Sequence, residues 1–138
     1  MSQAFKRGVR RLRTKILAPF VRHDLRALAM LAKTDKWGQH RYAEHYQTHF
    51  HSRRNTRLKI LEIGVGGYEN PEHGGESLRM WKEYFPKGTI YAIDIHDKRP
   101  HEETRIRIFQ GSQDDNVFLK KIVEKTGPLD IIIDDGSH

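Results

Sequence analysis

The feature that most limits the fold is a short apolar segment, Lys59–Ile63, that runs straight into Gly64-Val65-Gly66-Gly67-Tyr68. A brief apolar run bounded by glycines fits a buried strand better than a helix. The glycines after it allow positive φ and close approach of backbone to a ligand. From there the texture alternates. Glu76–Tyr84 reads as a helix closed by Pro86 and Gly88, Thr89–Asp94 as a strand, and residues 105–109 as a third strand. Residues 116–125 read as a helix with Val117, Ile122 and Val123 inward, stopped by Gly127-Pro128, and residues 129–134 as a fourth strand. Strands alternating with helices at this spacing predict an α/β fold built on a parallel sheet with right-handed crossovers.

The segment before the sheet is different. Phe5, Val9, Leu12, Ile16 and Phe20 recur at steps of three and four with basic residues between them, the pattern of an amphipathic helix. Pro19 is expected to break it, giving helices over about residues 4–17 and 20–32. The net charge of the whole chain is +7. Residues 1–26 hold eight Lys/Arg against one acid, Asp24, whereas residues 27–138 hold 17 basic and 17 acidic residues. All the excess charge therefore sits on the basic N-terminal segment, 1–32, ahead of the sheet domain, 33–138. The favoured expectation is that this helix docks its apolar stripe on the domain or on a second copy, as in a homo-oligomer. Peripheral contact with an anionic membrane is the alternative, and nucleic acid the weakest one.

Composition excludes several classes. The chain has no cysteine, so it has no disulfide, thiolate metal site or cysteine nucleophile. No apolar run approaches the roughly 18 residues of a membrane span, and the basic start lacks the apolar stretch of a signal peptide. A cytoplasmic protein is expected. His45 and His49, four residues apart on a helix over 40–51, have metal-ligand spacing, but the face carrying Tyr42 and Tyr46 reads more simply as aromatic packing.

Four places carry chemistry. The glycine turn lies at the carboxyl end of a strand, where open α/β sheets bind ligands. Glu69 stands where the dinucleotide fingerprint needs a third glycine, which counts against a nicotinamide cofactor. Asp94 ends the second strand, the position of a carboxylate that accepts ribose hydroxyls. Gly111-Ser112-Gln113-Asp114-Asp115 follows the third strand; Ser112 or Gln113 can meet a base edge, while Asp114 or Asp115 can cap the next helix. Asp134-Asp135-Gly136-Ser137-His138 closes the fourth strand. Its carboxylates suit a hard cation, and its imidazole suits a general base.

Taken together, these residues resemble the class I S-adenosylmethionine-dependent methyltransferases. The likeness is greatest to the metal-dependent sugar O-methyltransferases of macrolide biosynthesis. It rests on Thr34-Asp35-Lys36 with Gly38 and His40, on Glu62–Tyr68, and on Gly74-Gly75-Glu76-Ser77-Leu78 with Trp81. Asp94, Gly111-Ser112-Gln113 and the final Asp-Asp-Gly-Ser-His complete it. The resemblance implies a Rossmann-like domain, S-adenosylmethionine and Mg²⁺ as cofactors, and a small-molecule hydroxyl, such as that of a sugar, as acceptor. It implies that Glu62, Gly64, Val65, Gly66, Gly67 and Tyr68 cradle the methionine part with Ser77. Asp94 would hold the ribose, Ser112 and Gln113 the adenine side, Asp135 both metal and cofactor, and His138 would be the general base. The family's sheet has seven strands, so a chain ending after the fourth is expected to be a truncated piece, inactive alone, with an open apolar edge on its fourth strand.

Overall fold

The computed structural model describes residues 2–38 and 41–136. Its centre is a four-stranded, wholly parallel sheet in the order β3-β2-β1-β4, formed by β1 (Lys59–Ile63), β2 (Thr89–Asp94), β3 (Ile106–Gln110) and β4 (Ile131–Asp134). The chain steps outward from β1 through β2 to β3, then returns to pair β4 on the other side of β1. That reversal opens a crevice beyond the carboxyl ends of β1 and β4, the usual ligand position in such sheets.

Among the described residues five α-helices accompany the sheet: α1 (Gln3–Val21), α2 (Leu25–Ala32), α3 (Tyr42–Phe50), α4 (Glu76–Tyr84) and α5 (Asn116–Thr126). Strand alternation divides the core in two. Ile60, Ile90, Ala92, Ile106, Ile108, Ile131 and Ile133 pack with α2, α3 and α4. Leu61, Ile93 and Ile122 make a smaller cluster with Phe118 and Leu119 of α5. On the first face Tyr46 and Phe50 stack at 5.6 Å and both meet Trp81 edge-on. The spaced aromatics of the third helix therefore serve packing. His45 and His49 are exposed, and no group of three metal-ligating side chains occurs among the described residues.

Three expectations need correction. Helix α1 does not break at Pro19 but continues to Val21. Pro19 is exposed near the helix end, where its missing N–H deprives only the carbonyl of Lys15, itself on an exposed residue that water can reach. The break comes at residues 22–24, where Asp24 caps α2 by accepting from the Ala27 N–H at 3.1 Å. In α5, Val117 and Val123 are more than half exposed. The inward face is set instead by Ile122 with Phe118 and Leu119, and by the Phe118 ring lying against Gly111.

The third correction concerns the apolar stripe of α1, which does not dock on the domain. Phe5, Val9, Leu12, Ile16 and Phe20 are all more than half exposed, while Thr14 and Ala18 are buried. Small side chains let the opposite face come close to α2, with the Thr14 hydroxyl on the Leu31 carbonyl. Arg10 reaches Glu76 at 3.0 Å. Arg11 donates to Nδ1 of buried His101 at 3.0 Å, and His101 Nε2–H donates to the His73 carbonyl at 3.1 Å. A guanidinium can only donate and a carbonyl can only accept, so this ring is the neutral Nε2–H form.

Burial, then the Arg79 and Arg11 guanidinium groups, hold the His101 pKa below its ordinary 6.5, against a weaker upward pull from the His73 carbonyl and Glu76. The unfolded chain therefore binds this proton more readily. The stability His101 confers is present above its ordinary pKa and is lost as pH falls from there through the lower folded pKa. The melting temperature should drop between pH 7.5 and 5.5, and His101→Gln should flatten that part of the profile. An unchanged slope in the variant would remove the assignment.

Among the described residues β4 is the last strand on its side of the sheet, and Ile132 on its α5 face is 61% exposed. No helix among the described residues is long and apolar enough to cross a membrane.

Candidate functional site

At the carboxyl ends of the strands lies a cavity of about 750 Å³, within the range of small-molecule sites. Gly64, Val65, Gly66, Gly67, Tyr68, Ser77, Asp94, Ser112, Gln113 and Asp135 all line it. The remaining described candidate, Glu62, does not. Its side chain is fully buried behind the crevice floor. His138 lies outside the described residues.

The glycine turn is forced by its surroundings. Gly64, Gly66 and Gly67 all have positive φ. A Cβ on Gly64 would meet the Asp135 carbonyl oxygen at 2.7 Å, and one on Gly67 would strike His73 backbone at 2.4 Å. At Gly66 the nearest atom would be 3.9 Å away, so this glycine faces open space and leaves backbone exposed to a ligand. The turn is fastened to β2 by Asp94. Its Oδ2 accepts from the Val65 N–H and its Oδ1 from the His96 N–H, both at 2.9 Å. Buried Lys98 braces the outer loop, donating to the carbonyls of Asn70 at 2.7 Å and His73 at 3.1 Å.

On the adenine side of the expected ligand, the Ser112 hydroxyl accepts from the Asp114 N–H. Asp115 is the helix cap, its Oδ1 accepting from Val117 and Phe118 of α5. Of the two acids that the sequence offered for that role, the structure uses the second.

Sequence reasoning gave no role to Lys36. Its side chain is 1% exposed, its ammonium lies 3.3 Å from Glu62, and it also bonds Asp135. Glu62 in turn accepts from the Ser77 hydroxyl at 2.7 Å. The turn after α2 is thus pinned across β1 to the loop after β4, and Lys33, Thr34 and Asp35 become one wall of the cavity. Burial alone would depress the Lys36 pKa, but Glu62 and then Asp135 more than reverse this and hold it above the ordinary value. Burial raises the Glu62 pKa, against the pull of Lys36 and Ser77. The Thr-Asp-Lys run was visible in the sequence, but nothing in it showed that this lysine points inward.

Asp135 has the oxygen chemistry of a magnesium ligand, and its side chain is 40% exposed. It is one carboxylate, not a full coordination set, and one of its oxygens already holds Lys36.

No family model matches the chain. It is 53% identical over 116 residues to the mycinamicin VI 2''-O-methyltransferase of Micromonospora griseorubida, covering 83% of this chain and 29% of that protein. It is 48% identical over 116 residues to a tetracenomycin-C rhamnosyl 3'-O-methyltransferase of Streptomyces olivaceus, covering 83% and 30%. It is 49% identical over 116 residues to the demethylmacrocin O-methyltransferase of Streptomyces fradiae, covering 83% and 29%. Among solved structures it matches the methyltransferase MycE of the mycinamycin pathway, in complex with Mg, SAH and mycinamycin VI. That match has a TM-score of 0.80 at 52% identity and covers 83% of this chain and 32% of that one. The matched region is homologous to these O-methyltransferases and shares their α/β fold. The chain spans about 30% of the length of the relatives it matches.

Proposed function

We propose that this chain is the S-adenosylmethionine-binding part of a cytoplasmic O-methyltransferase that methylates a sugar hydroxyl on a small molecule, with residues 33–138 as the binding unit. The carrying observation is that Gly66, Asp94 and Asp135 line one cavity, although they come from three different strand ends. The solved MycE complexes contain Mg and SAH, which supports the same ligand chemistry here.

When bound, the sulfonium supplies an activated methyl group for in-line displacement by an acceptor oxygen. The protein's task is then mainly alignment. The open backbone at Gly66 admits the methionine end, and Asp94 takes the ribose hydroxyls while keeping the turn in place. Ser112 and Gln113 flank the base. Asp135 would be one oxygen ligand for Mg²⁺, whose charge favours loss of the acceptor hydroxyl's proton. His138 would receive that proton. The other metal ligands would come from water, acceptor or residues beyond those described.

Titration calorimetry with S-adenosylhomocysteine tests the binding reading on the chain itself. Affinity in the micromolar range, roughly −8 kcal/mol, is expected, with NADH at least tenfold weaker. NADH binding as tightly as S-adenosylhomocysteine, or neither binding, would overturn it.

A further inference from the structure

The apolar stripe of α1 points away from the domain that the helix packs on, and its surroundings identify what it can meet. Phe5, Val9, Leu12, Ile16 and Phe20 form one outward row along the helix. At 100° per residue, exposed Lys6 and Arg13 fall on one border of that row and exposed Lys15 on the other. Beside the Lys6–Arg13 border lies a groove of about 680 Å³ between α1 and α2. Lys6, Arg7, Arg10, Arg13 and Lys33 line it, with Glu76 as its carboxylate. Arg10 is neutralised by that carboxylate, and the other cations remain available to anions.

We propose that α1 is a lipid-docking helix that seats the chain on an anionic membrane surface. The aromatic and aliphatic row enters the headgroup–acyl boundary, and the flanking cations lie on lipid phosphates. A helix with this division of faces lies in the interface plane, held by apolar burial together with attraction to anionic lipid. The charge distribution argues against the other occupants. A second copy pairing stripe to stripe would bring together two segments that each carry all of a chain's excess positive charge, a repulsive arrangement. Nucleic-acid affinity comes from cations set against phosphates, whereas here the outward centre is apolar and the cations are at its borders.

The test is co-sedimentation of the whole 138-residue chain with vesicles. One set is phosphatidylcholine alone, and the other contains about one third phosphatidylglycerol. Partitioning onto the anionic vesicles should be at least tenfold stronger, and high salt should weaken it. Leu12→Glu with Ile16→Glu should cut it about tenfold or more, while circular dichroism and melting stay as in the parent, because both side chains are exposed. Lys6→Glu, Arg13→Glu and Lys15→Glu together should abolish the preference for anionic lipid. Equal partitioning onto both vesicles, or none, overturns the proposal. So does a stripe variant that binds as the parent does, a dimer in solution that the stripe variant dissolves, or retention of a DNA duplex as strong as that of anionic vesicles.

Discussion

Replacing Lys36 by methionine should lower the unfolding free energy by about 3–5 kcal/mol, the cost of stranding the partner of a buried ion pair. Typical domains have only about 5–15 kcal/mol in total. The partner is Glu62, fully buried, which would keep only the Ser77 hydroxyl and a further downward influence from the Trp81 side chain. Burial already raises the Glu62 pKa, and Lys36 is the strongest opposing influence. Without the lysine, the carboxyl must take up a proton to stay inside. Its folded pKa would then stand far above the unfolded value. The variant should be relatively more stable near pH 5 and lose stability as pH rises through that raised pKa. Adding Glu62→Gln should recover more than half of the loss at pH 8, since a neutral amide can still accept from Ser77. Urea unfolding at both pH values measures this. A Lys36→Met loss below about 1 kcal/mol, the scale of a surface pair, would mean that the pair is not the structural clamp described.

How much was readable in advance follows from what each element depends on. β1 and β2 were placed to the residue because apolar runs ending in glycine or aspartate leave few alternatives. The crevice follows from parallel topology, so Asp94 and Asp135 can be assigned to one rim although they stand 41 positions apart. Helix orientation was harder. A stripe such as that of α1 suggests inward packing by default, but what decides the matter is which face can come close to a neighbour. Thr14 and Ala18 are small enough to let α1 approach α2, and no periodicity count rewards that. In α5 the sequence pattern points the valines inward, but Phe118 takes that place because Gly111 leaves room for its ring. Lys36 was hidden for the plainest reason. A lysine in a polar turn is usually solvated, and only the positions of Glu62 and Asp135 in space make burial affordable.

Asp94→Ala should weaken S-adenosylhomocysteine binding about 100-fold, a loss of roughly 2.7 kcal/mol. Two effects act in the same direction. The carboxylate now accepts from the Val65 N–H in the glycine turn, and Val65 is buried. Truncation leaves that donor unsatisfied at a cost of about 1–3 kcal/mol, so the turn loosens. A bound ribose would also lose a charge-assisted acceptor, about 1.5–3 kcal/mol for each such bond. Asp94→Asn separates the two. Its amide oxygen can still accept from Val65 and hold the turn, but it presents an NH₂ where Oδ1 accepts from the His96 N–H, and it lacks the charge. Asparagine should therefore preserve stability better than alanine while still costing about tenfold in affinity. Paired calorimetric and melting measurements resolve the outcomes. A folded alanine variant that binds within about threefold of the parent would show that Asp94 fastens the turn and holds no ribose.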